Sequence, residues 1–78
     1  MIISAKPIRQ VKSYKKCEEC GELLHGRSAV RLYGAAFEND PPWVMYQCLL
    51  CTETYLFHVK EGRDREKILA AYQAIKEN

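Results

Sequence analysis

The chain has 78 residues, 28% of them charged and 47% hydrophobic, with a formal net charge of +2 and four cysteines. That length holds one domain with a core too small to be comfortably stable alone, so a staple such as a bound metal is expected. A charge of +2 argues for no partner, and the start Met1 to Pro7 is too briefly apolar for a secretory core or a membrane span.

In chain order, residues 1–16 carry Lys6, Arg9, Lys12, Lys15 and Lys16 with no acid, hence +5, whereas residues 17–78 carry seven basic and ten acidic side chains, hence −3. This asymmetry predicts a basic N-terminal arm suited to phosphate, or a plain solvated tail. Ile8, Val11 and Tyr14 recur at every third position, a period that fits neither a strand nor an ideal α-helix. The pattern fits an extended, polyproline-like chain after Pro7 with one apolar edge laid on the domain, or a single short helix; the extended form is favoured.

Cys17-Glu18-Glu19-Cys20-Gly21 has the form of a metal-binding knuckle. Gly21 is predicted at positive φ, so that the turn can curl and aim amide N–H groups at the sulfurs. Twenty-seven residues later the spacing repeats as Cys48-Leu49-Leu50-Cys51. Two C-x2-C pairs supply the four soft ligands of a closed tetrahedral site, so Cys17, Cys20, Cys48 and Cys51 are assigned to one structural zinc. The expected compartment is a reducing cytoplasm, where such pairs read as metal ligands rather than disulfides.

Between the pairs the pattern is β. Residues 28–33 alternate, with Val30 and Leu32 on one face and Arg31 and Tyr33 on the other; Trp43 to Tyr46 form a second run, and Glu38-Asn39-Asp40-Pro41-Pro42 between them is the expected hairpin loop. Gly34 beside Ala35 and Ala36 marks a bulge or a close backbone approach. The second cysteine pair opens a helix that is expected to stop at Gly62. Leu49, Tyr55, Leu56 and Val59 form one apolar face of it and Leu50 with Phe57 another, so both sides are expected to be covered. Asp64 is the expected N-cap of a last helix with the stripe Ile68, Leu69, Tyr72 and Ile75.

The predicted fold is a small α+β metal-stabilised domain: an arm over residues 1–16, a zinc knuckle, β-hairpin and helix over 17–62, and a C-terminal helix over 63–78 packed on them. That order over about residues 17 to 60 resembles the treble-clef zinc finger. Cys17-x-x-Cys20-Gly21, Arg31-Leu32 and Cys48-x-x-Cys51 are loosely similar to the zinc module of DksA/TraR-type transcription regulators and to small phage zinc fingers. The coiled-coil hairpin with which DksA enters RNA polymerase has no counterpart here, so its mechanism does not carry over. The order is also similar to the YgiT-type antitoxin zinc domain, which binds a protein. The resemblance implies metal ligation at the four cysteines and leaves the partner open.

His25 and His58 are the alternative ligands, but four paired thiolates already fill the shell, and His58 reads as a packing residue or one beside the ligands. Thioredoxin-like redox chemistry expects a βαβ context that this pattern lacks, and a catalytic zinc needs an open coordination position. The chain therefore reads as no enzyme and as taking no small-molecule substrate. Two functions fit. The favoured one is a zinc-stabilised regulatory module acting by protein contact as an adaptor, inhibitor or regulator, through apolar surface that includes Tyr33, Trp43, Tyr72 and Ile75. The other is nucleic-acid association, with Lys6, Arg9, Lys12, Lys15, Lys16, Arg27 and Arg31 on phosphate and Tyr14, Tyr33 and Trp43 as stacking candidates, although packing is the commoner fate of aromatics in so small a domain.

Overall fold

The alternating run after Ser28 becomes the central strand of a three-stranded antiparallel sheet. The computed structural model describes residues 2–35 and 40–77. Its elements in chain order are β1 (Ile2–Ile8), β2 (Ala29–Gly34), β3 (Trp43–Cys48), α1 (Leu49–His58) and α2 (Arg63–Lys76), with the strands in the order β1-β2-β3. The hairpin loop is described only at its β3 end, Asp40 to Pro42; the rest of that expectation lies outside the described residues.

β1 is a correction to the sequence reading. Residues 2–8, expected in a cationic arm outside the sheet, pair antiparallel with β2 from Ile2↔Gly34 to Ile8↔Ala29. Pro7 has no N–H to give a sheet, but β1 is an edge strand paired on one side only, the position where such a residue is tolerated. The pairing is irregular between Ile2 and Ser4, opposite Gly34, where the small residues had marked a bulge or close approach.

The sheet has two unlike faces. Val30 and Leu32 point into the main core with Leu56 of α1 and Ile68, Ala71 and Ile75 of α2, flanked by Ala5, Trp43, Met45 and Tyr72. On the opposite face, Ala29 and Cys48 join Val11, Cys17 and Leu24 in a second cluster around the knuckle. Of the period-three residues, Val11 is buried and Ile8 packs against this cluster, while Tyr14 is exposed.

Both helix boundaries differ from expectation. α1 ends at His58, with Val59 already extended and its N–H donating to Tyr55 O at 2.8 Å. β-branched Val59 turns out of the helix, and Arg65 of α2 donates through Nε to Val59 O and through Nη2 to Leu56 O, satisfying carbonyls at the helix end. Gly62 (φ 125°) is therefore the N-cap of α2 rather than the stop of α1. Asp64, the expected cap, sits inside the first turn with Glu66, where the helix dipole favours carboxylates. α2 lies against β1 as well as α1. Lys67 Nζ donates to Ile2 O at 2.9 Å and Arg9 Nη2 to Ala74 O at 3.2 Å, so the helix is tied to both ends of the first strand. The second apolar side of α1 is uncovered: Leu50 is 70% and Phe57 69% exposed. No helix among the described residues is long and apolar enough to cross a membrane.

Candidate metal centre

Each cysteine pair is presented by a different local device. At the first, the Gly21 N–H donates to Cys17 O at 2.8 Å, and Gly21 takes φ 75°, the left-handed turn that its missing side chain permits. The knuckle is sewn to the sheet by Glu18 N–H to Tyr46 O at 3.1 Å and a parallel bridge between Cys17 and Tyr46. At the second pair, Cys48 ends β3 and caps α1, its Sγ accepting the Cys51 N–H at 3.3 Å. The N–H of Cys48 in turn donates to Cys17 Sγ at 3.5 Å. A helix N-terminus and a tight turn thus direct N–H groups at sulfur, which favours thiolate.

The four Sγ atoms lie within 4.8 Å of one another, and those of Cys20 and Cys48 are 3.9 Å apart. Metal–sulfur bonds of about 2.3 Å in a tetrahedron place the sulfurs about 3.8 Å apart, whereas a disulfide requires about 2.05 Å. All four cysteines are free thiols, and the donor set fits one soft, four-coordinate ion. Cys17 and Cys48 are buried, Cys51 is partly so and Cys20 is exposed, so the centre meets solvent at one corner.

The thiols are unequal. Burial opposes ionisation of Cys17, but the amides of Cys48, Cys20 and Glu19 outweigh it and bring its pKa down to about 7. At Cys20 the Glu22 backbone favours thiolate, yet the neighbouring Cys17 sulfur and lost solvation leave the pKa raised. Burial, followed by the three neighbouring sulfurs, pushes Cys51 well above the ordinary thiol range.

Below the ligands a polar pair is held in the core. Thr52, fully buried, places Oγ1 3.0 Å from Gln47 Oε1 and 2.9 Å from Cys48 O. The sequence carried no signal for this link between the residue before one ligand and the residue after another. Neither histidine joins the sulfur cluster: the His25 ring stacks on Tyr14 at 4.4 Å, and His58 meets Phe57 edge-on at 5.3 Å.

The seven cations proposed for phosphate do not converge. Arg9 is tied to α2, Arg27 is paired with Glu22 at 2.6 Å, and Lys12, Lys15 and Lys16 are exposed along the segment before and into the knuckle. Lys6 and Arg31 do meet, as partners across β1 and β2. Of the apolar residues proposed for a partner, Tyr33 is half-buried on the face away from the helices. Trp43 and Tyr72 pack on the main core, and Ile75 is part of it, so Ile75 is withdrawn as a contact residue. Its place on the α2 stripe is the same whether that stripe faces a core or a partner, which is why spacing alone could not separate the two. At Tyr72, burial and then Glu53 raise the phenol pKa.

No known protein family, curated protein or solved structure matches the chain. What fold and site define is a small α+β protein, a three-stranded antiparallel sheet with two helices, with a cluster of four cysteines whose sulfurs lie close enough together to hold one metal ion.

Proposed function

We propose that the chain is a zinc-stabilised regulatory binding module that acts through contact with a protein partner and catalyses no reaction. Zinc is the ion best suited to four thiolates in a closed tetrahedral shell, and such a shell leaves no coordination position for a substrate. Knuckle, β2–β3 hairpin and α1 follow one another in treble-clef-like order, and free thiols suit a reducing compartment, the cytoplasm by default.

The observation that carries the protein-binding reading is the bare outer side of α1. Leu50 and Phe57, two turns apart on one side, are left largely in water and border an open groove shared with Leu69 and Tyr72. Apolar side chains exposed at helical spacing beside a groove are what a partner surface requires. The test is capture from nuclease-treated lysate by the wild-type chain and by Phe57→Asp in parallel. Loss of a stoichiometric protein partner in the variant, at unchanged zinc content and melting temperature, is the expected result. A partner retained by the variant, or none captured by either, would refute the reading.

A further inference from the structure

The opposite side of the molecule carries a separate feature. β1, β2 and β3 contain two charged residues between them, Lys6 and Arg31, and no carboxylate. These two are direct cross-strand partners. Both occupy the face away from the helices, since the residues flanking them, Ala5 on β1 and Val30 and Leu32 on β2, belong to the helix-covered core. Like charges directly opposite in an antiparallel pair destabilise the sheet. Among the described residues neither cation is ion-paired: the one salt bridge there joins Arg27 to Glu22.

The same face carries aromatic rings beside the cations. Tyr46 continues the row as the β3 partner of Arg31, and Tyr33 stands in the adjacent row between Ser4 and Val44. Both tyrosines are half-buried, and Val44 is 45% exposed. Among the described residues no helix packs on this face, and the knuckle packs against its end at Ile8, Ala29 and Cys48 and touches Tyr46 from that side.

We infer that this sheet face, with Lys6 and Arg31 beside Tyr33 and Tyr46, binds single-stranded nucleic acid. A backbone phosphate set between Lys6 and Arg31 removes their mutual repulsion, and the flanking rings offer plates on which unpaired bases stack. Duplex bases are already stacked on one another and gain nothing from such plates. An acidic peptide would use the two cations and leave the rings idle. The surface is distinct from the outer side of α1, so the inference stands apart from the protein-binding reading.

The test uses the zinc-loaded full chain and fluorescence anisotropy of labelled oligouridine, oligothymidine and a duplex of equal length. Binding to either single strand is expected, with log K falling by about 1.4 per log unit of salt for two phosphate contacts; the tighter strand names the sugar. Lys6→Glu should weaken binding at least about tenfold while leaving the melting temperature unchanged or raising it, because it sets an opposite charge beside Arg31. That pairing of outcomes is one a merely structural lysine would not give. Tyr33→Leu should weaken binding about fivefold or more with an unchanged salt slope, and Tyr33→Phe, which keeps the ring, should bind as wild type. No binding at low salt would overturn the inference, as would wild-type affinity in Lys6→Glu, duplex bound as tightly as single strand, or polyglutamate competing as well as the oligonucleotides.

Discussion

Replacing Thr52 with Val removes one hydroxyl from a fully buried side chain and changes its shape very little. The hydroxyl faces Gln47 Oε1 at 3.0 Å and Cys48 O at 2.9 Å. The carbonyl of Cys48 opens the helix and keeps its intrahelical N–H, so its loss is small. Gln47 has no such reserve, because it too is buried, and all fully buried side-chain polar atoms among the described residues have partners. Stranding a buried polar group costs about 1–3 kcal/mol, and the added methyl returns less than about 1 kcal/mol by burial. The net loss is about 1–2 kcal/mol, or about 4–16 °C in Tm at 4–8 °C per kcal/mol for a domain of this size. Because Gln47 precedes one ligand and Thr52 follows another, the same free energy should appear as roughly 5–30-fold weaker apparent metal affinity. Calorimetric melting of the zinc form, with competition against a chromophoric chelator, measures both, and Thr52→Ser should lie near wild type. A Val variant with wild-type Tm and wild-type metal affinity would show that the hydroxyl holds nothing in place.

Further expectations concern the metal and the backbone. Metal analysis should find one zinc per chain, and chelation or Cys17→Ser should abolish the folded circular dichroism spectrum; an unchanged spectrum after complete metal removal would contradict this. Cys20 and Cys51 have raised pKa values and enter the metal-free site as thiols, so each must release a proton on binding. Metal affinity should therefore rise with pH and fall with acid, read as proton release by calorimetry in buffers of different ionisation enthalpy, and affinity flat across roughly pH 6–8 would sink the assignment. Gly62→Ala should cost about 1–3 kcal/mol by denaturant titration, since φ 125° with ψ 157° lies in a region essentially confined to glycine, although nothing lies within 4 Å of the added Cβ. Undiminished stability in that variant would mean that the turn before α2 adopts another conformation.

The features legible in the sequence were those set by short-range spacing. Two C-x2-C pairs identify their own chemistry, Gly21 marks the turn that the first pair needs, and the alternation through Val30 and Leu32 gives both the central strand and its buried face. What escaped depends on contacts distant in the chain. β1 was hidden because Lys6 and Pro7 oppose a strand locally, and only pairing with β2 at a sheet edge makes one. The end of α1 depends on Arg65, a residue of the next helix. Whether Tyr72 and Ile75 face a core or a partner is decided by β1 and α1, which no periodicity within α2 can show. Lys6 and Arg31 stand 25 positions apart, and nothing in the composition of either segment hints that the fold sets them side by side.

The two clusters are also separated in the order of synthesis. Val11, Cys17, Leu24, Ala29 and Cys48, with all four ligands, lie within residues 11–51, whereas the main core also requires Ile68, Ala71 and Ile75. A nascent chain therefore exposes all four cysteines before the helix that closes its core has left the ribosome. Metal uptake is therefore expected to precede closure of the main core, with β1 and α2 docking afterwards. Chains stopped after residue 62 should take up zinc through four sulfurs yet show amide exchange in β1 far faster than in the full chain. Failure of such chains to take up metal would place assembly of the core ahead of the centre.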